Sequence, residues 1–227
     1  MLRRKYDPGN EYAINYMWGT TGIGVNVDKV KEVLGDDAPI GSLALVFDPA
    51  NMEKLSACGV HFLDAPAEII PAALNYIGEN PDAQDAETIQ KAEPVLTAIA
   101  PYVQKFHSSE YINALANGDI CVAVGWSGDI LQARDRAAEA DNGVTIEFNA
   151  PKEGALMWFD NMAIPVDAPN PDGAHKFLNF IMDAQNMAAA SNYVYYANGN
   201  LASQEFLVED VIGDTAIYPD AETLEKL

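Results

Sequence analysis

Two short stretches of the sequence each place a tryptophan close to an aspartate. Trp126 and Asp129 lie in "VGWSGD", after an apolar run, and Trp158 and Asp160 lie in "LMWFDN" among apolar neighbours. An indole face attracts an ammonium group and a carboxylate neutralises it, so the two residue types together suit recognition of an alkylammonium ion. Because a ligand that is charged at both ends needs a carboxylate for each end, the repetition favours a diamine.

Each of these residues also has an ordinary structural interpretation. Asp129 is placed to cap the helix predicted to follow it, and Trp126 has the bulk of a core residue. The acids and aromatics would also suit a carbohydrate-binding or glycoside-cleaving protein, since a pair of carboxyl groups cleaves glycosides and aromatic rings bind sugars. The two pairs alone leave these alternatives open.

Glu68 and Ser108 each lie near the predicted start of a helix. An acid in a first turn ordinarily interacts with the helix dipole, and a serine there is ordinarily a cap. We predict no catalytic residues, because neither a G-x-S-x-G motif nor a Ser–His–Asp arrangement stands out. The glycine-rich "GTTGIG" (19–24) lacks the Lys-Ser/Thr ending of a phosphate-binding loop, so we predict a plain turn between strands there.

The charge of the chain excludes some classes of partner. Thirty-four Asp and Glu residues against 13 Lys and Arg give a net charge of −21. Such a surface repels phosphate backbones and anionic lipid head groups, so we expect no nucleic-acid partner and no membrane-surface partner. Most of these carboxylates should be solvated surface, although their field favours cationic ligands. No apolar run is long enough to span a bilayer, and no signal peptide is recognisable.

Cys58 and Cys121 are the only cysteines, and each lies in or beside an apolar, strand-like run. They suit a facing pair in neighbouring strands and two buried free thiols about equally well, and their spacing does not decide between the two. The three histidines, His61, His107 and His175, show no ligand spacing. We therefore expect no metal site and no cofactor.

The elements that must position these residues alternate between strands and helices. Apolar runs of strand length occupy 43–48 ("LALVFD"), 60–64 and 120–126. Helical spacing predicts one helix with Asp64 as its N-cap and Pro66 in its first turn. It predicts a second, amphipathic helix over 85–106 that Pro94 and Pro101 limit or bend. This alternation indicates an α/β unit with a largely parallel sheet, in which ligands bind at the carboxyl ends of the strands. A change of rhythm over 142–154 marks the expected domain boundary.

Several stretches resemble the periplasmic polyamine-binding proteins of bacterial ABC importers, most closely the putrescine-binding type. They are "YMWGTTGIGVN", "CGVHFLDAPAEI", "FHSSEYINALANGDICVAVGWSGD", "PKEGALMWFDNMAIP" and "YYANGN". The resemblance implies the α/β fold of periplasmic-binding-protein type II, with two lobes that close on a ligand about a hinge. It further implies a monomeric protein without catalytic activity. Such a protein binds a polyamine, putrescine in the first place, in the interlobe cleft and delivers it to an ABC permease.

The resemblance also implies roles for individual residues. Trp126 and Asp129 match aromatic and acidic ligand contacts. Trp158 matches an aromatic that packs on the methylene chain, and Asp160 matches an acid that holds an ammonium. The remaining matches are Glu68, an acid of the second lobe, Ser108, a small polar contact, and Tyr196, an aromatic at the pocket rim.

Two further positions carry implications from the family. Ala65 stands where spermidine-selective relatives have an additional acid, which favours a diamine. Cys58 and Cys121 fall where putrescine-type members place a disulfide, which would suit an oxidising periplasm.

The family pattern also implies a long N-terminal segment, with its signal peptide, that is not present in this sequence. We accordingly expect three parts: a hinge or first-lobe remnant at 1–14, a second α/β lobe at 15–145, and at 146–227 the second half of the first lobe with the start of a C-terminal segment. The full-length parent is expected in the periplasm.

Overall fold

The computed structural model describes Asp7, Gly9, residues 11–225 and Leu227. The strands are β1 Ile14–Asn26, β2 Val60–Phe62, β3 Lys105–Phe106, β4 Val122–Trp126, β5 Ile146–Asn149, β6 Leu156–Met162 and β7 Ala197–Asn198. The α-helices are α1 Val27–Leu34, α2 Ala44–Phe47, α3 Pro49–Leu55, α4 Pro66–Tyr76, α5 Ala86–Gln90, α6 Glu93–Ile99, α7 Glu110–Ala116, α8 Ser127–Ala140, α9 Pro171–Ile181, α10 Ala184–Val194, α11 Glu209–Ile212 and α12 Ala221–Leu224. Short 3₁₀ turns cover Ala100–Tyr102 and Leu201–Phe206.

The chain divides into two compact units. The larger unit comprises Thr20–Met157 with Pro219–Leu227, and the smaller unit comprises the described residues up to Gly19 with Trp158–Tyr218. The chain passes between the units within β1, within β6 and again between Tyr218 and Pro219. The assignment of lobes to 1–14, 15–145 and 146–227 stays a prediction.

The larger unit is built on a mixed sheet with the strand order β3-β2-β4-β1-β5. β2 runs parallel to both β3 and β4, while β1 runs antiparallel to β4 and to β5. The α/β class is therefore confirmed, but the sheet is parallel only over β2, β3 and β4. The buried core of this unit includes Phe47, Phe62 and Tyr111, none of them more than 1% exposed.

The predicted turn at "GTTGIG" is wrong, because these residues form the middle of the 13-residue strand β1. Its glycines serve close packing instead of a turn. A Cβ at Gly22 would lie 2.6 Å from the carbonyl oxygen of Asn149 on β5, and a Cβ at Gly24 would lie 2.8 Å from Ile130 on α8. Glycine inside a strand commonly marks such a close approach.

The predicted strand over 43–48 is also wrong, since its centre forms the short helix α2. An apolar run of this length is compatible with a buried helix as well as with a strand. The helical choice is stabilised at its start by Glu153. This carboxylate accepts hydrogen bonds from the Leu43 N–H, at 3.0 Å, and from the Ser42 hydroxyl, so donors that α2 cannot satisfy internally are paired.

Prolines determine where two other predicted helices begin. The helix expected over 85–106 is divided at the two prolines expected to limit or bend it, with Pro94 in the first turn of α6 and Pro101 in the 3₁₀ turn that follows. Asp64 is not the N-cap expected of it. α4 begins at Pro66, and Ala65 occupies the N-cap position without a side-chain hydrogen bond. Proline at the first helical position already supplies the required φ, so the start is fixed without a polar cap.

A disulfide joins Cys58 to Cys121, with 5.4 Å between their Cα atoms. Cys58 lies two residues before β2 and Cys121 lies immediately before β4, the parallel neighbour of β2. The disulfide implied by the family resemblance is confirmed, and the alternative of two free thiols is wrong.

The smaller unit carries its own short strand pairings. β7 pairs antiparallel with β1, placing Met17 opposite Asn198 and Trp18 opposite Ala197. Trp18 stacks on Phe159 with 6.2 Å between ring centroids and meets the edge of Tyr218 at the same distance. Among the described helices of both units, none combines the length and apolar character needed to cross a membrane.

Removing the disulfide should lower stability substantially. The bond closes a loop with a sequence separation of 63 residues. Loop-closure entropy then predicts a loss of about 4 kcal/mol in the free energy of unfolding when the bond is absent. Urea denaturation with and without a thiol reductant measures this loss, and the Cys58→Ser/Cys121→Ser double variant is the control, since reductant should not affect it. Equal stability of the oxidised chain and the double variant would contradict the prediction.

His61 should make the chain less stable at acidic pH. It is 6% exposed on β2, and its Nδ1 atom has no hydrogen-bond partner within the described residues. Burial, and then the positive charge of Lys105, lowers the pKa of His61 from its ordinary value of 6.5, against an opposing contribution from Glu110. The unfolded chain therefore binds this proton at a higher pH than the folded chain, and stability falls as the pH drops below about 6.5.

Urea denaturation at about pH 7 and pH 5 checks this expectation. His61→Gln, which does not titrate, should lose less stability over this interval than the wild type. His175→Gln removes an exposed histidine on α9 and should behave like the wild type. If wild type and His61→Gln lose stability equally, His61 does not carry the acid sensitivity.

Candidate functional site

Four of the predicted site residues lie at one edge of the sheet of the larger unit. Because β2, β3 and β4 are parallel, their carboxyl ends meet at the same edge. Glu68 lies in the first turn of α4, which follows β2, and Ser108 lies in the bend after β3. Trp126 ends β4, and Asp129 lies in the first turn of α8, which follows directly.

Tyr111 connects two of these residues and was not identified from the sequence. Its hydroxyl donates a hydrogen bond to Oδ2 of Asp129 at 2.7 Å and accepts one from the Trp126 backbone N–H at 3.2 Å. The Tyr111 side chain is fully buried. Burial, and then the charge of Asp129, raises the pKa of Tyr111 far above its usual range, so the phenol stays a protonated donor.

Thr21 donates a hydroxyl hydrogen bond to a second predicted site carboxylate, that of Glu68. Like Tyr111, Thr21 was not identified from the sequence. The atom that accepts this hydrogen bond is Oε2 of Glu68. Thr21 lies on β1 directly opposite Trp126 of β4, so the antiparallel strand brings it to the edge where the parallel strands end. The negative charge of Glu68 also contributes, as the smallest of the causes, to the raised pKa of Tyr111.

Asp129 is not the helix cap and Trp126 is not the fully buried core residue that their ordinary structural interpretations would require. α8 begins at Ser127 with Trp126 in the N-cap position, so Asp129 is inside the first turn and not its cap. The Asp129 carboxylate is engaged by Tyr111 instead. Trp126 is half-buried and packs on the edge of the core, which leaves part of its side chain accessible.

The serine cap expected at the start of α7 is replaced by a histidine. Ser109 occupies the N-cap position without a side-chain capping bond. Nδ1 of His107 accepts hydrogen bonds from the N–H groups of Ser109 and Glu110, both at 3.1 Å. The start of α7 is thus paired without Ser108, whose half-buried side chain is not used for capping.

The other three predicted residues lie in the smaller unit. Trp158 and Asp160 are two positions apart on β6, so their side chains leave the same face of the strand. The Trp158 ring meets the edge of the Tyr196 ring with 5.1 Å between centroids. The Asp160 side chain is exposed, while its backbone oxygen accepts a hydrogen bond from Nδ2 of Asn15 at 3.1 Å.

One polar atom in this second cluster is notable. The indole Nε1 of Trp158 is buried and finds no hydrogen-bond partner among the described residues. An unpaired buried donor of this kind calls for an explanation such as a water, an ion or a ligand. Over the same part of the chain, no three His, Cys, Asp or Glu side chains are grouped so that they could hold a metal ion.

Residues 5–219 match the family of bacterial extracellular solute-binding proteins. The chain belongs to this family. The putrescine-binding periplasmic protein SpuD of Pseudomonas aeruginosa is 53% identical over 221 residues, which are 97% of this chain and 60% of that protein. The putrescine-binding periplasmic protein PotF of Escherichia coli is 50% identical over 227 residues, which are 100% of this chain and 61% of that protein.

A solved structure shares the fold of this solute-binding chain. The spermidine/putrescine ABC transporter substrate-binding protein PotD of Streptococcus pneumoniae has a TM-score of 0.77 at 28% identity, over 100% of this chain and 65% of that one. The family resemblance and the periplasmic-binding-protein type II fold expected from the sequence are confirmed. The chain spans about three fifths of the length of the curated relatives it matches.

Adding one methyl group beneath Tyr111 should disturb this edge of the sheet. A Cβ at Gly125 would lie 2.6 Å from Cε2 of the Tyr111 ring, which is too close. We expect Gly125→Ala to lower the free energy of unfolding by about 1 to 3 kcal/mol through overpacking, as measured by urea denaturation. Gly41→Ala is the matched control, because a Cβ there meets nothing within 4 Å and neither glycine has a positive φ. Similar stability of the two variants would contradict the prediction.

Proposed function

We propose that this solute-binding chain binds a small diamine, in particular putrescine. The observation that carries the proposal is the placement of two carboxylates, Glu68 and Asp129, beside Trp126 at one sheet edge. Glu68 accepts a hydrogen bond from the Thr21 hydroxyl, and Asp129 accepts one from the Tyr111 hydroxyl. A neutral donor orients a carboxylate without cancelling its charge, which suits recognition of a cationic ligand.

The cluster on the smaller unit suits the same ligand chemistry. Trp158 and Tyr196 present two aromatic rings at an angle, against which a methylene chain can pack. Asp160 leaves β6 on the same face as Trp158 and offers an exposed carboxylate for an ammonium group. We therefore propose the full set of ligand contacts as Glu68, Ser108, Trp126, Asp129, Trp158, Asp160 and Tyr196.

The names of the relatives support the choice of ligand. SpuD and PotF, at 53% and 50% identity, are both named putrescine-binding periplasmic proteins. Ala65, three residues before Glu68, contributes no further carboxylate, which favours a diamine over a triamine. The carbohydrate alternative gains no support from these relatives.

The names of the same relatives support a periplasmic setting. We propose that it works in the periplasm as a monomeric carrier that delivers its ligand to an ABC permease and performs no chemistry on it. The Cys58–Cys121 disulfide is compatible with that oxidising compartment. The net charge of −21 is compatible with a cationic ligand and unfavourable for nucleic acid.

Calorimetric titration with putrescine tests the proposal, with circular dichroism to verify folding. Asp129→Asn and Asp160→Asn should each weaken binding strongly, since leaving one ammonium without its carboxylate costs about 2 to 5 kcal/mol. Asp172→Asn removes an acid from the first turn of α9, as Asp129→Asn does from α8, and should bind like the wild type. Binding should also weaken as salt is raised.

Two results would count against the proposal. Saturable binding of glucose but not of putrescine would favour the carbohydrate alternative. Unchanged putrescine affinity in both Asp129→Asn and Asp160→Asn would remove these residues from the site. Retained binding in only one of the two variants would remove that residue alone and leave the diamine assignment standing.

A further inference from the structure

Tyr111 contacts two proposed ligand residues at once through a single atom. Its hydroxyl oxygen lies 2.7 Å from Oδ2 of Asp129 and 3.2 Å from the backbone nitrogen of Trp126. The first contact orients the carboxylate, and the second fixes the backbone at the junction of β4 and α8. We propose that Tyr111 is a positioning residue that holds the carboxylate of Asp129 and the indole of Trp126 in fixed relation to each other. This proposal rests on the proposed function, because it specifies how that site is held.

The ring of Tyr111 has little freedom to move. It is fully buried, and it packs so closely on β4 that a Cβ at Gly125 would come within 2.6 Å of Cε2, 2.9 Å of Cζ and 3.1 Å of the hydroxyl oxygen. The position of the hydroxyl is therefore determined by the sheet and by α7, which carries Tyr111. A donor held by rigid elements orients its partner at little entropic cost upon binding.

The hydroxyl group of Tyr111 makes two hydrogen bonds that a phenylalanine ring in the same place could not make. Phenylalanine would fill the same space but would leave the Trp126 N–H without its acceptor and Asp129 without this donor. Trp126 is opposite Thr21, and Thr21 donates to Glu68, so a shift at Trp126 would also disturb the second carboxylate. Tyr111 therefore acts on ligand binding through Trp126 and Asp129, and not by contact with the ligand.

The first arm of the test is a double-mutant cycle on putrescine affinity, measured by calorimetry. A hydrogen bond to a charged group predicts that Tyr111→Phe weakens binding by about tenfold in the wild-type background. In the Asp129→Ala background the same change should weaken it by less than about threefold, because the carboxylate to be oriented is gone. Tyr76→Phe is the control. It removes a hydroxyl from a half-buried tyrosine that packs on Phe47 in the same unit, and it should not alter affinity.

The second arm needs no ligand and follows the Trp126 backbone N–H by hydrogen exchange with nuclear magnetic resonance. Loss of its acceptor in Tyr111→Phe should speed exchange of this amide by about tenfold or more, while Tyr76→Phe leaves it unchanged. The urea-denaturation cycle of Tyr111→Phe with Asp129→Ala should also show coupling in the ligand-free chain, since either change removes the same hydrogen bond.

The two arms separate the proposals. If the wild-type chain binds no putrescine, the proposed function fails, and the amide exchange and stability coupling still decide the positioning role. An unchanged Trp126 exchange rate in Tyr111→Phe, or an equal loss of affinity in both backgrounds, would overturn that role. Faster exchange with non-additive losses would establish it.

Discussion

The parallel alignment of β2, β3 and β4 is the constraint on which the site in the larger unit depends. Residues from three distant parts of the sequence follow the carboxyl ends of these strands, and only a common direction puts them at one edge. The antiparallel β1 adds to this edge from the opposite direction. Its Thr21 faces Trp126 because β1 runs in the opposite direction to β4, so that the residues of β1 that pair with the end of β4 come before those that pair with its start. The disulfide joins the segments before β2 and β4. It thus links the starts of two strands, of which one leads at its carboxyl end to the helix that carries Glu68 and the other ends at Trp126.

Three glycines on β1 and β4 let neighbouring elements approach these strands closely. Gly125 lets the Tyr111 ring lie directly on β4, and Gly22 and Gly24 let β5 and α8 approach β1. A Cβ at any of these positions would lie within 3 Å of a neighbouring atom. The glycines of this chain thus bear on the site by permitting contact, which is a tertiary requirement and not a local one.

The difference between local and tertiary requirements also explains which features could be predicted from the sequence. The Trp126–Asp129 pair, strand β4 and the helix after it were predictable because periodicity and residue type are local signals. Thr21 and Tyr111 were not, since their importance depends on which strand lies opposite and which ring lies beneath. "GTTGIG" illustrates the difficulty, because glycine in a turn and glycine under a packed side chain have the same local sequence. For "LALVFD" the apolar run was visible, but the hydrogen bond that Glu153, more than a hundred residues away, accepts at the start of the helix was not.

The high net charge can attract cations to the molecule as a whole, whereas discrimination between cations requires short-range contacts at a site. A charge of −21 attracts cations to the whole molecule, but at physiological ionic strength exposed charges are screened beyond about 8 Å. Surface carboxylates therefore cannot distinguish a diamine from any other cation. Discrimination needs carboxylates that are fixed in direction and spacing, which the Thr21 and Tyr111 hydroxyls provide for Glu68 and Asp129. Because these two donors are neutral, neither of them cancels the charge of the carboxylate that it orients.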